Sequence, residues 1–464
     1  MDLLSRFLVI AGELREGVFH QQRSARRAVS LMLAGLLCVG RHWISRWRWL
    51  RGGDSGRWSA DYKLLSRARW DADELFAPAI RHGLPFTGTG PIVLAGDETR
   101  LRRGGRRVKR SRWTRDPMSP PFHVNLMKGI RFCQFSLLLP LHRLAAVDCR
   151  AVPVSFRPVD LPAKPRRRAP AEEHAAYRQA CKRNRMCLKA LAQLQGLRGA
   201  FDRLGARLRW LLAALDGGFC NSTMFRAKLE RTHLLARCRK DAVLCRRSRD
   251  RRCPTRVYSR HTFTPESVRR DVRQPWRRTK VFFGGHWRTV RYKEVTPVLW
   301  RGGARRRDLR LLVVAPTPYR PSPGRRLYYH QPAYLLCTEL HLPARDLLQA
   351  YFDRWQIEVN HRDEKQQIGI ADPQVWNDLS VDRQPPFLVA AYSFLLLAAL
   401  EAYGPRRTEQ YLQPPPWQPH ARTKPSCEDL LALLRTQASE RDGPEPDGMP
   451  FRYDPKTALA RSAA

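Results

Sequence analysis

The chain is poor in acid. Its 464 residues carry 85 Lys and Arg against 42 Asp and Glu, a formal net charge of +43. Such a field repels cationic partners and attracts polyanions, so nucleic acid is the first-choice partner. Lysine is scarce too: 13 of the 85 basic residues, which leaves 85 − 13 = 72 arginines. GC-rich codon usage favours Arg over Lys but does not explain the surplus of base over acid. Guanidinium also suits bidentate phosphate contact. The eleven cysteines include no C-x2-C pair, and Cys238, Cys245 and Cys253 fit no zinc spacing. They read as reduced thiols of a cytoplasmic protein. No apolar run reaches the roughly 20 residues that span a bilayer. The two longest, Ala28–Gly40 and Phe387–Leu400, read as buried helices. Arg6 would suit a signal-peptide n-region, but the apolar run after it, Phe7–Ala11, is too short for an h-region. There are no internal repeats.

Along the chain, residues 1–90 mix apolar and arginine residues at helical spacing, with aromatic-basic interleaving at His42–Arg51. A small DNA-binding helical region and a helical layer packed on the next domain are equally open readings. PIVLAGDE, from Pro91, reads as a buried strand and its exit. A basic loop is expected at Arg100–Arg115, then two strands around His123–Met127 and Phe132–Leu141. A loop follows at Arg157–Pro170, then one long helix over Ala171–Leu197. Trp210–Leu215 runs into Asp216-Gly217-Gly218. Ser222–Arg231 reads as helix and His233–Cys238 as strand. Residues 245–332 are basic and alternating, and read as a β-rich insertion. Residues 333–402 hold a core strand at Tyr334–Thr338 and two helical stretches. Residues 403–464 are a Pro-rich tail with one short helix at Ser426–Arg435, opened by Ser426 and Asp429 as an approximate capping box, and with disorder beyond Gln437. The order of elements suggests an α/β layer fold.

Tyr351, Arg354, Glu358 and Lys365 stand at Y-x2-R-x3-E-x6-K. On one continuous helix they fall within roughly 60° of one another. Leu348, Phe352, Trp355 and Val359 would form a separate apolar stripe that seats the helix. Two further acids follow strands: Asp97 after PIVLAG and Asp216 after LLAAL. Strand ends in an α/β sheet converge on one edge, so Asp97, Asp216 and Glu358 could meet as a hard, oxygen-rich site suited to Mg²⁺. Glu98 competes for the first position, and Asp346, Asp353 and Asp363 compete on the last helix. Each single acid also has a plainer reading, as a turn aspartate or part of a solvated face.

The motifs GDET around Asp97, LDGGFCNSTMF around Asp216 and YFDRWQIEVNHRDEKQQIG around Glu358 resemble those of bacterial insertion-sequence transposases of the DDE class, the hairpin-forming, cut-and-paste families with this signature. The resemblance covers roughly residues 91–402. It implies an RNase H-like core, over 91–244 and 333–402, interrupted by the β-rich insertion. It implies Asp97, Asp216 and Glu358 as metal-binding catalytic acids for two Mg²⁺ ions, with Mn²⁺ able to substitute. Tyr351, Arg354 and Lys365 would contact the phosphates of the transposon end. The implied partners are double-stranded DNA, both terminal inverted repeats and target, and a second copy of the chain in a homodimer that pairs two ends, in a cytoplasmic, nucleoid-associated setting. In some members an insertion aromatic holds a flipped base; Trp287, Trp300 and Tyr328 are the candidates, and no motif chooses among them. Two other readings stay open: a different RNase H-like nuclease such as a resolvase, and a catalytically inactive DNA-binding derivative.

Overall fold

A computed structural model describes residues 1–51, 58–116, 119–120, 122–248, 253, 255–320, 324–413 and 423–441. In chain order its elements are helices α1 (Leu3–Gly12), α2 (Leu14–Gly17), α3 (Gln22–Leu37), α4 (Ile44–Leu50), α5 (Trp58–Ser66) and α6 (Ala77–Gly83), then strands β1 (Ile92–Arg102), β2 (Arg112–Arg115) and β3 (Leu126–Leu139). Next come α7 (His142–Ala145), β4 (Arg150–Val159), α8 (Ala171–Arg183), α9 (Met186–Phe201), β5 (Leu211–Leu215), α10 (Ser222–Arg226), β6 (Thr232–Arg237), β7 (Leu244–Arg247) and β8 (Tyr258–Phe263). The remainder is α11 (Pro265–Arg270), β9 (Arg277–Phe283), β10 (His286–Leu299), α12 (Arg301–Ala304), β11 (Asp308–Val314), β12 (Pro318–Tyr319), β13 (Tyr328–Tyr329), β14 (Ala333–Cys337), α13 (Ala344–Asp353), α14 (Gln356–Gln366), α15 (Asp378–Tyr403) and α16 (Cys427–Glu440). The architecture is mixed α/β. The chain forms two compact units: one of residues 1–88, 98–189 and 356–464, the other of 89–97 and 190–355.

In the first unit, α15 is the central core helix. Every residue from Phe387 to Leu400 is buried, and α1, α3, α5, α6 and β4 pack around it. It is long and apolar enough to cross a membrane, yet most of its apolar stretch is enclosed by the fold, as a core helix requires. The strands here are antiparallel: β3 pairs with β2 through Arg112↔Gly129 and with β4 through Leu139↔Arg150. Two strands expected around His123–Met127 and Phe132–Leu141 are one, β3. Gly129 does not break it; a Cβ there would lie 2.4 Å from the Leu101 carbonyl oxygen, so close strand approach requires glycine. The basic stretch after Asp97 is not all loop. β1 continues to Arg102, and β2 forms from Arg112, because Thr99 and Leu101 alternate inward between outward Arg100 and Arg102. β4 was hidden by Pro153 and Pro158. Among the described residues β3 is its one strand partner, and the register shifts where Pro153 sits opposite Ser136, the kind of position where a strand tolerates proline. The expected single helix over Ala171–Leu197 is two, α8 ending at its C-cap Asn184 and α9 starting at Met186.

In the second unit the strand order is β1-β5-β6-β14-β11-β10-β7-β8, with β9 pairing β10. β1, β5 and β6 are parallel and the rest antiparallel. Leu212, Leu235, Leu312, Leu335, Leu347 and Leu348 anchor a shared core, with Val93 and Phe352 packed on its edge. The helix expected over Ser222–Arg231 stops at Arg226. Residues 245–332 are largely strand, β8 to β13, with the short α11 and α12. All eleven cysteines are free thiols. α16 is opened by a full capping box between Ser426 and Asp429 and runs to Glu440, past Gln437 where disorder was expected to begin. Residues 442–464 and most of the Pro-rich stretch lie outside the described residues.

Candidate functional site

Asp97 and Asp216 come together through strand register. β1 and β5 pair in parallel from Ile92↔Leu211 to Gly96↔Leu215. Asp97 and Asp216 are the next residue on each chain, where the pairing of β1 with β5 stops: Asp216 follows the last residue of β5, while Asp97 lies within β1, and paired strands lie about 4.8 Å apart. The LLAAL run of β5 is fully buried, and Asp216 leaves it partly exposed. Gly217 and Gly218 then turn the chain, and the Phe219 N–H donates to the Asp216 carbonyl at 3.0 Å.

Arg354 joins this pair. Its Nη1 lies 3.9 Å from Asp97 Oδ2, with both side chains mostly buried. Arg354 caps the C-terminus of α13, and α13 is fixed by a side chain the motif does not mark. The Gln349 Oε1 accepts from the Phe282 N–H and its Nε2 donates to the Phe282 carbonyl, each at 2.8 Å, as a neighbouring strand would. The same Nε2 donates to Asp353 Oδ1 at 2.9 Å. Phe352 stacks on Phe283, ring centres 4.4 Å apart, and half-buried Tyr351 meets Phe352 edge-on at 5.4 Å. A glutamine three positions before an aromatic carries no sequence signal, so only tertiary structure reveals this clamp.

Glu358 and Lys365 belong to the other unit, on α14. The signature segment is therefore not one helix. Helical pairing stops after Asp353 and restarts at Gln356, and the expected apolar stripe fails at Trp355, which is 60 % exposed. Glu358 lies in the first turn of α14 and Lys365 in the last, the arrangement a helix dipole favours. Apart from Ile357, the buried residues of α14 are polar. Glu364 is fully buried, and its Oε1 accepts from Gln134 Nε2 at 2.8 Å. Asn360 Nδ2 donates to Ser136 Oγ at 3.1 Å, and the Tyr392 hydroxyl donates to Asp363 Oδ2 at 3.2 Å.

The competing acids are occupied. Glu98 receives a bidentate Arg131 at 3.1 and 2.6 Å and also Arg100. Asp353 and Asp363 serve the contacts just described. Of the candidate base-holding aromatics, Trp287 and Tyr328 are exposed. Trp287 lies under the Arg345 guanidinium, 5.4 Å from the ring centre. Trp300 packs edge-on against Phe225 at 5.8 Å.

Among the described residues no three His, Cys, Asp or Glu side chains gather into a ready-made metal cage. The donor chemistry nevertheless fits a hard divalent cation. Mg²⁺ is commonly held by one or two carboxylates, with waters and substrate phosphate completing its shell, and Asp97 with Asp216 offers two carboxylates at matching positions on adjacent chains.

A family model described as DDE superfamily endonuclease matches residues 16–307. The chain belongs to this family. The match includes Asp97 and Asp216 with the strands that align them, and ends before Tyr351. None of the curated proteins matches the chain. As a DDE endonuclease it is a nuclease-type enzyme whose substrate is DNA and whose chemistry uses divalent metal ions.

Proposed function

We propose that this DDE endonuclease is the cut-and-paste transposase of an insertion sequence, cleaving DNA at the element ends and joining those ends to a target. The observation that carries the proposal is the parallel register of β1 and β5, which sets Asp97 and Asp216 at matching positions where that pairing ends, with Arg354 against Asp97. The Y-x2-R-x3-E-x6-K spacing adds Tyr351, Glu358 and Lys365.

Asp97, Asp216 and Glu358 would hold the divalent metal, Mg²⁺ or Mn²⁺. When bound, the metal supplies a water of lowered pKa and Lewis-acid stabilisation of the leaving oxygen. The chain's own residues orient the DNA. Arg354 and Lys365 neutralise non-bridging phosphate oxygens, and the Tyr351 hydroxyl donates a hydrogen bond to the same backbone. In the first step a water oxygen bonds to phosphorus and the bridging 3′ oxygen leaves, taking a proton to become a 3′-OH. That hydroxyl's oxygen bonds to a phosphorus on the opposite strand and the 3′ oxygen of the flanking DNA leaves with a proton, which closes a hairpin; a water oxygen then bonds to the hairpin phosphorus and the element's 3′ oxygen leaves as a 3′-OH. The restored 3′-OH then attacks a target phosphodiester, whose own 3′ oxygen leaves and takes the proton. Bonds made and broken balance at each transfer, with no covalent protein–DNA intermediate. A homodimer would pair the two ends.

Purified protein incubated with Mg²⁺, an end-bearing DNA and a target plasmid tests this. Wild type should cut the ends and join them. Glu358→Ala should lose cleavage while still retarding the DNA in a gel. Cleavage by Glu358→Ala would overturn the site assignment. Cutting without joining would make the protein a nuclease of resolvase type, and binding without metal-dependent cutting a DNA-binding derivative.

A further inference from the structure

The hairpin of β9 and β10 presents a cationic face that the cleavage chemistry does not use. Its two-residue turn is Gly284-Gly285, both at positive φ (60° and 77°), the conformation that suits a tight hairpin and fixes its register. That register sets Arg278 opposite Arg291 and Lys280 opposite Thr289. All four side chains are exposed, while Val281, Val290 and Tyr292 on the other face are buried in the core. The outward face is thus a block of three cations and one hydroxyl.

Like charges directly opposite on a sheet destabilise it. Elsewhere in this hairpin the cost is relieved: Arg277 pairs with Glu294 at 3.2 Å, and Glu294 also takes Arg310 at 2.8 Å. The side chains of Arg278, Lys280 and Arg291 form no ion pair or hydrogen bond with another described residue. Arg291 stacks only over Trp276, 5.8 Å from its ring centre. Arg278 and Lys280 lie two positions apart on one strand, about 7 Å, far enough to engage separate phosphates. Among the described strands β9 pairs with β10 alone, and its other edge is held at Phe282 by Gln349, so the surface on offer is the outward face at Arg278, Lys280, Thr289 and Arg291. The four exposed side chains offer hydrogen-bond donors and no carboxylate; next to them on the same face stands the Phe282–Trp287 pair.

We propose that the outward face of the β9–β10 ribbon is a docking surface for the phosphate backbone of duplex DNA, engaged through Arg278, Lys280 and Arg291. The proposal rests on DNA being the substrate, and it adds a binding surface separate from the carboxylates. The contacts are to backbone, so they contribute affinity without sequence preference.

The test is the salt dependence of binding to a random-sequence duplex, read by fluorescence anisotropy. Each phosphate contact contributes about 0.9 to the slope of log affinity against log salt. The triple variant Arg278→Gln, Lys280→Gln, Arg291→Gln should lower that slope by about 2 to 3. Arg278→Glu keeps the fold safe, since its carboxylate faces Arg291 and forms a favourable cross-strand pair. It should lower the slope by about 2, losing one contact and occupying another. Arg277→Gln, which removes a cation already paired, should leave the slope near wild type. Unchanged slopes in the first two variants would overturn the proposal. So would an equal fall in Arg277→Gln, which would mean that net charge alone is at work. A wild-type protein that shows the steep, ribbon-dependent slope yet joins no ends would overturn the transposase reading and support the ribbon.

Discussion

At the scale of single residues, position decides which acids are available for chemistry. Asp97 and Glu98 are neighbours in sequence but alternate across β1. Glu98 is held by Arg131 and Arg100, whereas Asp97 stands level with Asp216 where the β1–β5 pairing ends. Asp97→Asn or Asp216→Asn should each lower metal-dependent strand cleavage at least about a hundredfold, about 3 kcal/mol of transition-state stabilisation. The double variant should fall little further, because groups that act as one unit are not additive. Glu98→Gln should retain cleavage. Plasmid-nicking rates at saturating metal read all four. Asp97 and Asp216 could be singled out from the sequence because each ends an apolar run. The occupation of Glu98 could not, since Arg131 reaches it from another strand.

At the scale of elements, the signature segment is divided between two anchors. α13 is fixed to β9 through Gln349, and α14 is fixed to β3 through Asn360 and Glu364. No glycine or proline marks the break at Arg354–Trp355, so local propensity reads straight through it, and the apolar stripe drawn across the break placed Trp355 inward when it is exposed. Glu364 sits on the buried side of α14 as a polar pin. Glu364→Ala would leave the Gln134 amide short of an acceptor and open a cavity, at a cost of about 2–4 kcal/mol. Glu364→Gln keeps an acceptor oxygen and should cost less than about 1.5 kcal/mol. Urea unfolding midpoints separate the two, and equal losses would refute the pin.

At the scale of the whole molecule, stability should fall in acid, with His42 a defined part of the fall. Burial pushes its imidazole from the ordinary 6.5 down to about 4, Arg46 and Arg435 work in the same direction, and Asp372 opposes them. Above pH 6.5 both folded and unfolded chains hold it neutral. As pH drops from 6.5 towards 4 the unfolded chain takes up a proton that the folded one does not. Up to about 3 kcal/mol is lost across that window and none above it. His42→Gln should therefore flatten the stability–pH curve between pH 6.5 and 4, whatever its effect at neutral pH; parallel curves for variant and wild type would show that His42 does not titrate there.

The sequence by itself determined the charge surplus that suits DNA, the buried run that becomes α15, the alternation that becomes the β9–β10 hairpin, and the residue types and spacing of the candidate site. These are local or compositional properties, carried by side-chain chemistry and by periods of two or 3.6 residues. Only the tertiary structure decided that β1 and β5 align Asp97 with Asp216, that β4 forms despite its prolines, and that the signature helix breaks before Glu358. Each of these depends on a hydrogen-bond ladder or a buried polar contact between residues distant in sequence, whose energy exists only once the partner is in place.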